Sequence, residues 1–266
     1  MRVMAEVLQL LDGKPWSQSG WVDPLSLLGC YTSFAVDAAG AVVELAAHLD
    51  RLQRDSALLM GVAPDLEDVR RLAAAHLAQV GGGPVRMRIA VLAQTPPVQP
   101  QELIALHVAT TTRPLVPASE TPWRVRTVEH VRTLPQVKAV DPFAQLHLKR
   151  AARLAGFDDA LLAHGEELLE GTSWASIAVL DGAVVLPGPD ALASIGGERL
   201  ARAAGLPIER RPLRRQELVD VRLLLASTAI TPVTAIEQVD GRAVSLDAEL
   251  VAALRCACAE QPGERV

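Results

Sequence analysis

The most informative stretch for the fold is AGFDDALLAHGEELLEGTSW, residues 155–174. Its apolar runs on either side of His164–Gly165 predict two short strands joined by a tight turn. The runs SIAVL and AVVLP, on either side of Asp181–Gly182, predict a second hairpin, because an Asp-Gly pair between apolar runs favours a two-residue turn. The middle of the chain is therefore predicted to be rich in β-structure.

The rest of the chain shows alternating strand and helix patterns. Prolines and small polar residues interrupt these patterns around 112–122, so we predict a small N-terminal α/β domain over 1–117 and a larger β-rich domain over 118–266. Before this boundary the predicted elements are a hairpin over 30–45, helices over 45–61 and 65–80, and strands over 85–93 and 103–111. Beyond it they are strands over 123–131 and 221–227, helices over about 143–156, 197–204 and 246–259, and a hairpin at 240–241.

The composition excludes several classes of protein. With 26 basic and 31 acidic residues among 266, and the basic residues dispersed except in ERRPLRR (209–215), we expect no nucleic-acid surface. Cys30, Cys256 and Cys258 give neither a disulfide framework nor a zinc-site spacing, so we expect free thiols and no metal. No apolar run approaches a membrane span or a cleaved leader, so we expect a cytoplasmic protein.

One lysine stands out, in QVKAVDPFAQ (136–145). The chain has only Lys14, Lys138 and Lys149 against 23 arginines, so arginine is its ordinary source of positive charge. Lys138 lies among mostly apolar residues. It either extends its amino group to solvent or performs chemistry that a permanently charged guanidinium does not perform.

Four segments in one order resemble the class IV pyridoxal phosphate family, which includes branched-chain and D-amino-acid aminotransferases and 4-amino-4-deoxychorismate lyase. The segments are HLDRL (48–52), VKAVDPF (137–143), LLEGTSW (168–174) and LASTAITPVTAIEQVDG (225–241). The resemblance covers about residues 28 to 241. It implies an α+β, two-domain, fold type IV enzyme that binds pyridoxal 5'-phosphate in the interdomain cleft, acts on a small-molecule amino substrate and forms a homodimer.

The resemblance also implies roles for three charged residues. Lys138 matches the lysine that forms a Schiff base with the cofactor, and apolar surroundings favour the neutral amine that this reaction needs. Glu170 matches the carboxylate that keeps the pyridine nitrogen protonated. Arg51 matches an arginine that contacts the cofactor phosphate. The alternatives are a solvent-exposed glutamate at a strand end and a surface arginine paired with Asp50 or Asp55.

The rest of the implied phosphate site consists of backbone and one hydroxyl. The start of a helix in LASIGGERL (192–200) offers free N–H groups at Ile195 and Gly196. The family usually has Gly-Ile-Thr there, whereas this chain has Ser194-Ile195-Gly196 and lacks the threonine hydroxyl. Thr228 and Ala229 match the second phosphate-binding segment.

Several departures leave the reaction open. Ala175 replaces a family asparagine, Trp174 marks an unfamiliar subgroup, and Leu92 stands where D-amino-acid aminotransferases have an arginine. The spacing in STAITPV and the segment CYTS (30–33) are more similar to deoxychorismate lyases, in which Thr32 would donate a proton to the substrate. We therefore expect a lyase that releases pyruvate and an aromatic amine. A class IV aminotransferase for an unusual amino acid and a degenerate non-catalytic homologue are the alternatives, and the substrate and its stereochemistry stay open.

Overall fold

The computed structural model describes residues 8–16, 27–93, 105–180 and 182–266. They fall into two compact units. The first holds the residues up to Val116 with Val137–Val140 and Pro262–Val266, and the second holds Pro117–Gln136 and Asp141–Gln261. The predicted domain boundary between 117 and 118 stays a prediction. Asp181, in one predicted turn, lies outside the described residues, as do positions 103 and 104 of a predicted strand.

The first unit combines an antiparallel sheet with two helices. Its elements are β1 (Gln9–Leu11), β2 (Lys14–Pro15), β3 (Leu28–Val36), β4 (Ala41–Val43), α1 (Leu45–Met60), α2 (Leu66–Gln79), β5 (Val85–Ala93), β6 (Leu106–Pro114) and β17 (Gly263–Arg265). The described strands of the main sheet run in the order β2-β1-β6-β5-β3. Strand β5 has the predicted bounds, and both predicted helices are confirmed to within one residue.

Alternation along β3 gives the sheet two different faces. Cys30, Thr32 and Phe34 are buried, and Cys30 and Phe34 belong to a core that also contains residues of α1 and α2. Tyr31 and Ser33 therefore lie on the opposite face. Helix α1 ends at Gly61, whose φ of 73° is a left-handed conformation that glycine adopts without strain.

The predicted hairpin over 30–45 is only partly correct. The turn forms, because the Asp37 carboxylate accepts hydrogen bonds from the N–H groups of Ala39 and Ala41, both at 2.8 Å. However, β4 pairs with β17 from the end of the chain, and no ladder joins β4 to β3 among the described residues. The pairing depends on a segment about 220 residues away, which local sequence does not show.

The second unit contains a large mixed sheet. Its elements are β7 (Trp123–Glu129), α3 (Phe143–Leu154), β8 (Asp159–His164), β9 (Glu167–Gly171), β10 (Ala175–Leu180), β11 (Ala183–Leu186), α4 (Ile195–Ala204), β12 (Ile208–Arg210), β13 (Leu213–Arg214), a 3₁₀ helix (Arg215–Val219), β14 (Leu223–Ser227), β15 (Thr234–Val239), β16 (Arg242–Ala243) and α5 (Ala248–Ala259). The order is β12-β11-β10-β14-β15-β7-β8-β9-β13, with β16 paired to β15. A further pairing of β9 with β10 closes β10, β14, β15, β7, β8 and β9 into a ring.

Alternating side chains of this sheet contribute to two hydrophobic cores. Ile177, Leu223 and Leu225 pack with Leu200 of α4 and Val251 of α5. The second core also contains strand residues, listed here in part: Val125, Leu161, Leu168, Ala178, Leu224 and Ile236. The hairpin predicted from residues 155–174 is confirmed as β8 and β9, with Ala163 opposite Leu168. Helix α4 thus packs against side chains of β10 and β14.

Candidate functional site

Lys138 is anchored through its main chain to two elements of the first unit. Beside β3, the Tyr31 N–H donates to the Lys138 carbonyl at 2.9 Å and the Val140 N–H donates to the Gly29 carbonyl at 2.8 Å. The Lys138 N–H donates to Oδ2 of Asp55 in α1, also at 2.9 Å. These hydrogen bonds fix the main chain of Lys138, so its amino group moves only by rotation about the side-chain bonds.

Asp55 is the residue of α1 that fixes this segment. Its side chain is fully buried, with one oxygen on the Lys138 N–H and the other accepting from Arg54 Nη2 at 2.7 Å. A buried carboxylate with an unused oxygen costs free energy, and here both oxygens have donors.

Tyr31 lies beside the Lys138 amino group on the second face of the sheet. Lys138 Nζ is 4.9 Å from the centre of the Tyr31 ring, and Arg88 Cζ is 4.7 Å from the same centre. Burial alone would raise the pKa of the Tyr31 hydroxyl, but the positive charges of Lys138, Arg88 and Arg86 outweigh it and lower the pKa. Lys138 thus has a cation-π partner that sequence analysis did not single out.

Thr32 points to the opposite face of β3 and is fully buried. Its Oγ1 lies 2.6 Å from Nδ1 of His48, which is 1% exposed. Burial, with Arg51 and Lys138 nearby, lowers the pKa of His48 to about 3, so its imidazole is neutral. His48 Nε2 has no hydrogen-bond partner among the described residues.

Arg51 follows His48 by one turn of α1, so the two share a face of the helix. Only 6% of Arg51 is exposed, which contradicts the alternative of an arginine on the helix surface. A buried guanidinium close to the Lys138 segment has the chemistry for a phosphate.

Glu170 is the corresponding charged residue of the second unit. It is 7% exposed, so the alternative of a solvated strand end is wrong. Arg132 Nε donates to Oε1 at 2.7 Å, and the Leu192 N–H donates to Oε2 at 3.2 Å. A carboxylate oxygen can accept two hydrogen bonds, so each has capacity for a ligand donor beside the one named here.

The start of α4 presents unused backbone donors. The Ser194 side chain caps the helix by accepting from the Gly197 N–H at 3.0 Å. The N–H groups of Ile195 and Gly196 have no acceptor among the described residues, as expected for the first turn of a helix. A Cβ on Gly196 would overlap the carbonyl oxygen of Thr228. Glycine therefore lets the helix start approach the Thr228 backbone.

The facing loop is a tight turn closed by its own threonine. Oγ1 of Thr228 accepts from the Thr231 N–H at 2.8 Å and from the Ile230 N–H at 3.2 Å. The Ala229 N–H has no acceptor among the described residues. Ile195, Gly196 and Ala229 together present three backbone donors from two adjacent segments, a donor set suited to a phosphate.

Trp174, the unusual residue after Glu170, has a structural explanation. The chain folds back so that the Gly171 N–H donates to the Trp174 carbonyl at 2.8 Å, and a Cβ on Gly171 would overlap the Trp174 indole. The indole also meets the Trp123 ring edge-on, with centroids 6.0 Å apart. Glycine at 171 thus makes room for a large side chain that completes the core beside Ala175.

Several contributors were missed by sequence reasoning. His48 had a local signal, since it lies one turn before Arg51 in HLDRL. No local sequence signal indicated Tyr31, Asp55 or Arg132. Each interacts with the Lys138 segment or with Glu170, which lie far away in the sequence. The three cysteines are free, as expected, and burial raises the pKa of the Cys30 thiol to about 12.

Metal-ion clusters and membrane-spanning helices are both absent from the described part of the chain. It holds no cluster of His, Cys, Asp or Glu suited to a metal ion. Its helices include none that is both long and apolar enough to cross a membrane.

Comparison with known families identifies the fold. A family model described as amino-transferase class IV matches residues 29–238. The chain belongs to this family. The family expected from the four motifs is therefore confirmed, together with the α+β, fold type IV architecture and the expectation of a pyridoxal phosphate-dependent enzyme. A comparison with curated protein sequences finds no match.

Solved structures show the same fold at low sequence identity. A hypothetical aminotransferase from Mycobacterium tuberculosis, in its PLP-bound form, has a TM-score of 0.77 and 18% identity, covering 95% of this chain and 98% of that one. A branched-chain aminotransferase from Thermoproteus uzoniensis with norvaline has a TM-score of 0.79 and 19% identity, covering 95% and 94%. A fold IV transaminase from Curtobacterium pusillum has a TM-score of 0.72 and 22% identity, covering 91% and 88%.

Proposed function

We propose that this protein binds pyridoxal 5'-phosphate covalently at Lys138 and acts on an amino substrate. The observation that carries the proposal is the anchoring of Lys138 by three main-chain hydrogen bonds on and beside it, with its amino group over Tyr31. Arginine in the same place would keep its charge and could not form the covalent bond.

The family resemblance assigns the remainder of the cofactor to residues of the second unit. The three backbone donors at Ile195, Gly196 and Ala229 would hold the phosphate, with Thr228 shaping the loop. We assign Arg51 to the same phosphate and Glu170 to the pyridine nitrogen. The missing threonine hydroxyl at Gly196 is offset by the close backbone approach that glycine permits. A degenerate site would not retain a buried carboxylate, a buried arginine and unused helix N–H groups together.

When bound, the cofactor supplies a ring that accepts the electron pair of a bond broken in the substrate. Lys138 Nζ would take a proton from the amine-bearing carbon of the substrate. Glu170, held by Arg132 at 2.7 Å, would accept a hydrogen bond from the ring nitrogen. Thr32 Oγ1 lies 2.6 Å from Nδ1 of the neutral His48 imidazole, and its expected role as a proton donor to the substrate stays a prediction.

We propose more specifically an aminodeoxychorismate lyase-like reaction. The amine-bearing carbon loses a proton, the neighbouring C–O bond breaks, and its electron pair leaves with the enolpyruvyl oxygen. That fragment gains one proton on carbon and is released as pyruvate, while the ring becomes an aromatic amine. Proton loss and gain balance, so no oxidant is needed. The spacing of STAITPV, whose turn is closed by the Thr228 hydroxyl, supports this branch.

An aminotransferase is the second candidate, supported by the family model and by the solved relatives. One of these is the Mycobacterium tuberculosis protein in an alpha-ketoglutarate and PMP bound form. A transaminase returns the proton to the cofactor and releases a keto acid.

The two reactions are separated by their products. The cofactor-loaded protein is incubated with 4-amino-4-deoxychorismate, and pyruvate and p-aminobenzoate are quantified by chromatography. A lyase gives the two products in equal amounts without an added keto acid. Keto-acid-dependent amino transfer from amino acids, with no pyruvate from deoxychorismate, would overturn the lyase proposal and establish the aminotransferase.

Control variants tie either activity to the predicted lysine. Lys138→Arg is expected to abolish turnover, whereas Lys149→Arg should retain it. Lys149 pairs with buried Asp159 at 2.5 Å, and an arginine preserves this charge pair. Assembly as a homodimer and a cytoplasmic location stay predictions.

A further inference from the structure

Lys149 is one of only three lysines in the chain, and its partner is a buried carboxylate. Its Nζ donates to Oδ2 of Asp159 at 2.5 Å, and Asp159, the first residue of β8, is fully buried. Oδ1 of Asp159 accepts from the Thr172 hydroxyl at 2.7 Å and from the Ala160 N–H at 2.8 Å. The ammonium supplies the opposite charge that a buried carboxylate needs, and both oxygens have donors. Asp159 is therefore held firmly, and it holds the Thr172 hydroxyl.

Glu170 lies in an irregular part of the ladder between β8 and β9. Leu161 is opposite Gly171, and Ala163 is opposite Leu168. The two β8 residues are two positions apart and their β9 partners are three apart, so β9 has one extra residue between Leu168 and Gly171. A bulge of this kind interrupts the regular alternation of side chains. Pairing with β8 alone therefore does not determine the direction of the Glu170 side chain.

The chain that follows Glu170 is held by a side chain instead. On its other edge β9 pairs with β10 through one pair among the described residues, Ala175 opposite Glu170. Between these two residues lies Thr172, which is only 6% exposed and whose hydroxyl is bonded to Asp159. This bond continues the attachment of β9 to β8 beyond the last backbone pair. The direction of Glu170 therefore depends on the Thr172–Asp159 bond.

We propose that Asp159 is a positioning residue for Glu170 and acts through the Thr172 hydroxyl. The Thr172–Asp159 bond fixes the main chain after Glu170, while Arg132 holds one carboxylate oxygen at 2.7 Å. With the main chain and the carboxylate both held, the acceptor capacity left on Glu170 has a fixed direction. The inference rests on the proposed function, in which Glu170 accepts a hydrogen bond from the ring nitrogen of the cofactor.

The first measurement uses the full-length protein without cofactor. Substituting Asp159 would leave Lys149 without its partner, so Thr172→Val is used, and the Ala160 N–H still donates to the Asp159 oxygen that loses the hydroxyl. If Thr172 positions Glu170, then Glu170→Gln costs less stability in the Thr172→Val background. Urea denaturation should show that the double variant lowers the folding equilibrium constant by a factor about threefold smaller than the product of the single effects.

Thr127 provides a matched control in the same sheet. Its hydroxyl donates to Oδ2 of Asp240 at 2.6 Å, so Thr127→Val loses the same kind of hydrogen bond without involving Asp159. The effects of Thr127→Val and Glu170→Gln should therefore multiply. Thr172→Ser keeps a hydroxyl and should retain the coupling to Glu170.

The second measurement reports the direction of the Glu170 carboxylate. Equilibrium dialysis compares the dissociation constants of pyridoxal phosphate and of its analogue with CH in place of the ring nitrogen. Only the first compound donates a hydrogen bond to Glu170, and a bond to a charged acceptor corresponds to about tenfold or more in affinity. The wild type and Thr172→Ser should show this preference, and Thr172→Val should reduce it to about threefold or less. A general loss of stability would weaken both compounds equally and leave the ratio unchanged.

Two results would overturn the proposal. One is multiplicative effects of Thr172→Val and Glu170→Gln on folding, and the other is a preference for pyridoxal phosphate that is as large in Thr172→Val as in the wild type. Coupling in the protein without cofactor, together with no preference for pyridoxal phosphate in the wild type, would fault the proposed role of Glu170 alone and support its positioning by Asp159.

Discussion

Burial of His48 strongly alters its ionisation. Its pKa of about 3 lies below the ordinary value of about 6.5 that it has in the unfolded chain. The unfolded state therefore binds more protons as the pH falls from about 6.5 towards 3, and the folded state loses stability across that window. The stabilisation is fully present above pH 6.5.

The prediction is a pH-dependent difference between the wild type and His48→Gln. Between pH 7.5 and pH 5, His48 should cost the wild type about 2 kcal/mol of unfolding free energy that His48→Gln does not lose. Urea denaturation at both pH values measures this. His164→Gln, at an exposed position, should behave like the wild type. Parallel losses in the wild type and His48→Gln would show that His48 is not buried as described.

Arg132 and Glu170 form a largely buried ion pair. Their side chains are 13% and 9% exposed and joined at 2.7 Å, so removing one partner leaves a buried charge uncompensated. Arg132→Met should lower the unfolding free energy by about 3 kcal/mol, and Arg132→Met with Glu170→Met by less than the sum of the single changes. Urea denaturation of the full double-mutant cycle checks this, and additive losses would show that the pair is not coupled.

At the scale of elements, α1 holds the Lys138 segment through one carboxylate. Asp55→Ala removes the acceptor for the Lys138 N–H and leaves Arg54 without its partner, so the unfolding free energy should fall by about 2–3 kcal/mol. Asp55→Asn keeps an oxygen acceptor and should lose less. Thermal and urea unfolding compare the two variants. Equal losses would mean that the hydrogen bond to Lys138 contributes nothing.

The second contact between elements joins the start of α4 to the Thr228 turn, where we assign the cofactor phosphate. Gly196→Ala should weaken pyridoxal phosphate binding at least tenfold, because the added methyl group overlaps the Thr228 carbonyl and displaces the helix start. In Gly197→Ala the methyl meets only the side chains of Ile177 and Ser194, which yield more easily, so its effect should be smaller. Absorbance titration of the apoprotein with cofactor measures both. Unchanged affinity in Gly196→Ala would contradict the assigned phosphate site.

Hydrophobic periodicity in the sequence correctly predicted the helices and strands whose formation depends on nearby residues. The apolar periodicity of α1 and α2 and the VRMRIAVLA strand were correct, since each depends on its own spacing. Helix α4 begins two residues before its prediction because the Ser194 cap, not apolar spacing, sets its start. The β4–β17 pairing, the Asp55–Lys138 bond and the Arg132–Glu170 pair join distant segments, so no local pattern indicated them.

At the scale of the whole molecule, each of the two compact units contains some of the candidate site residues. The first contains Lys138, Tyr31 and Arg51, and the second contains Glu170 and the backbone donors of α4. The resemblance assigned roles to Lys138, Arg51 and Glu170, and these roles stay predictions. It did not predict the surroundings of these residues, such as the Tyr31 ring beside Lys138 or the ion pair of Glu170 with Arg132.

The most direct test of the central claim is the covalent attachment of the cofactor. The purified protein is loaded with pyridoxal phosphate, desalted, reduced with borohydride, digested and mapped by mass spectrometry. The visible absorbance of the loaded protein should bleach on reduction, and the pyridoxyl mass should lie on the peptide that contains Lys138 and be missing in Lys138→Arg. A colourless protein, or an adduct confined to Lys14 or Lys149, would contradict the account.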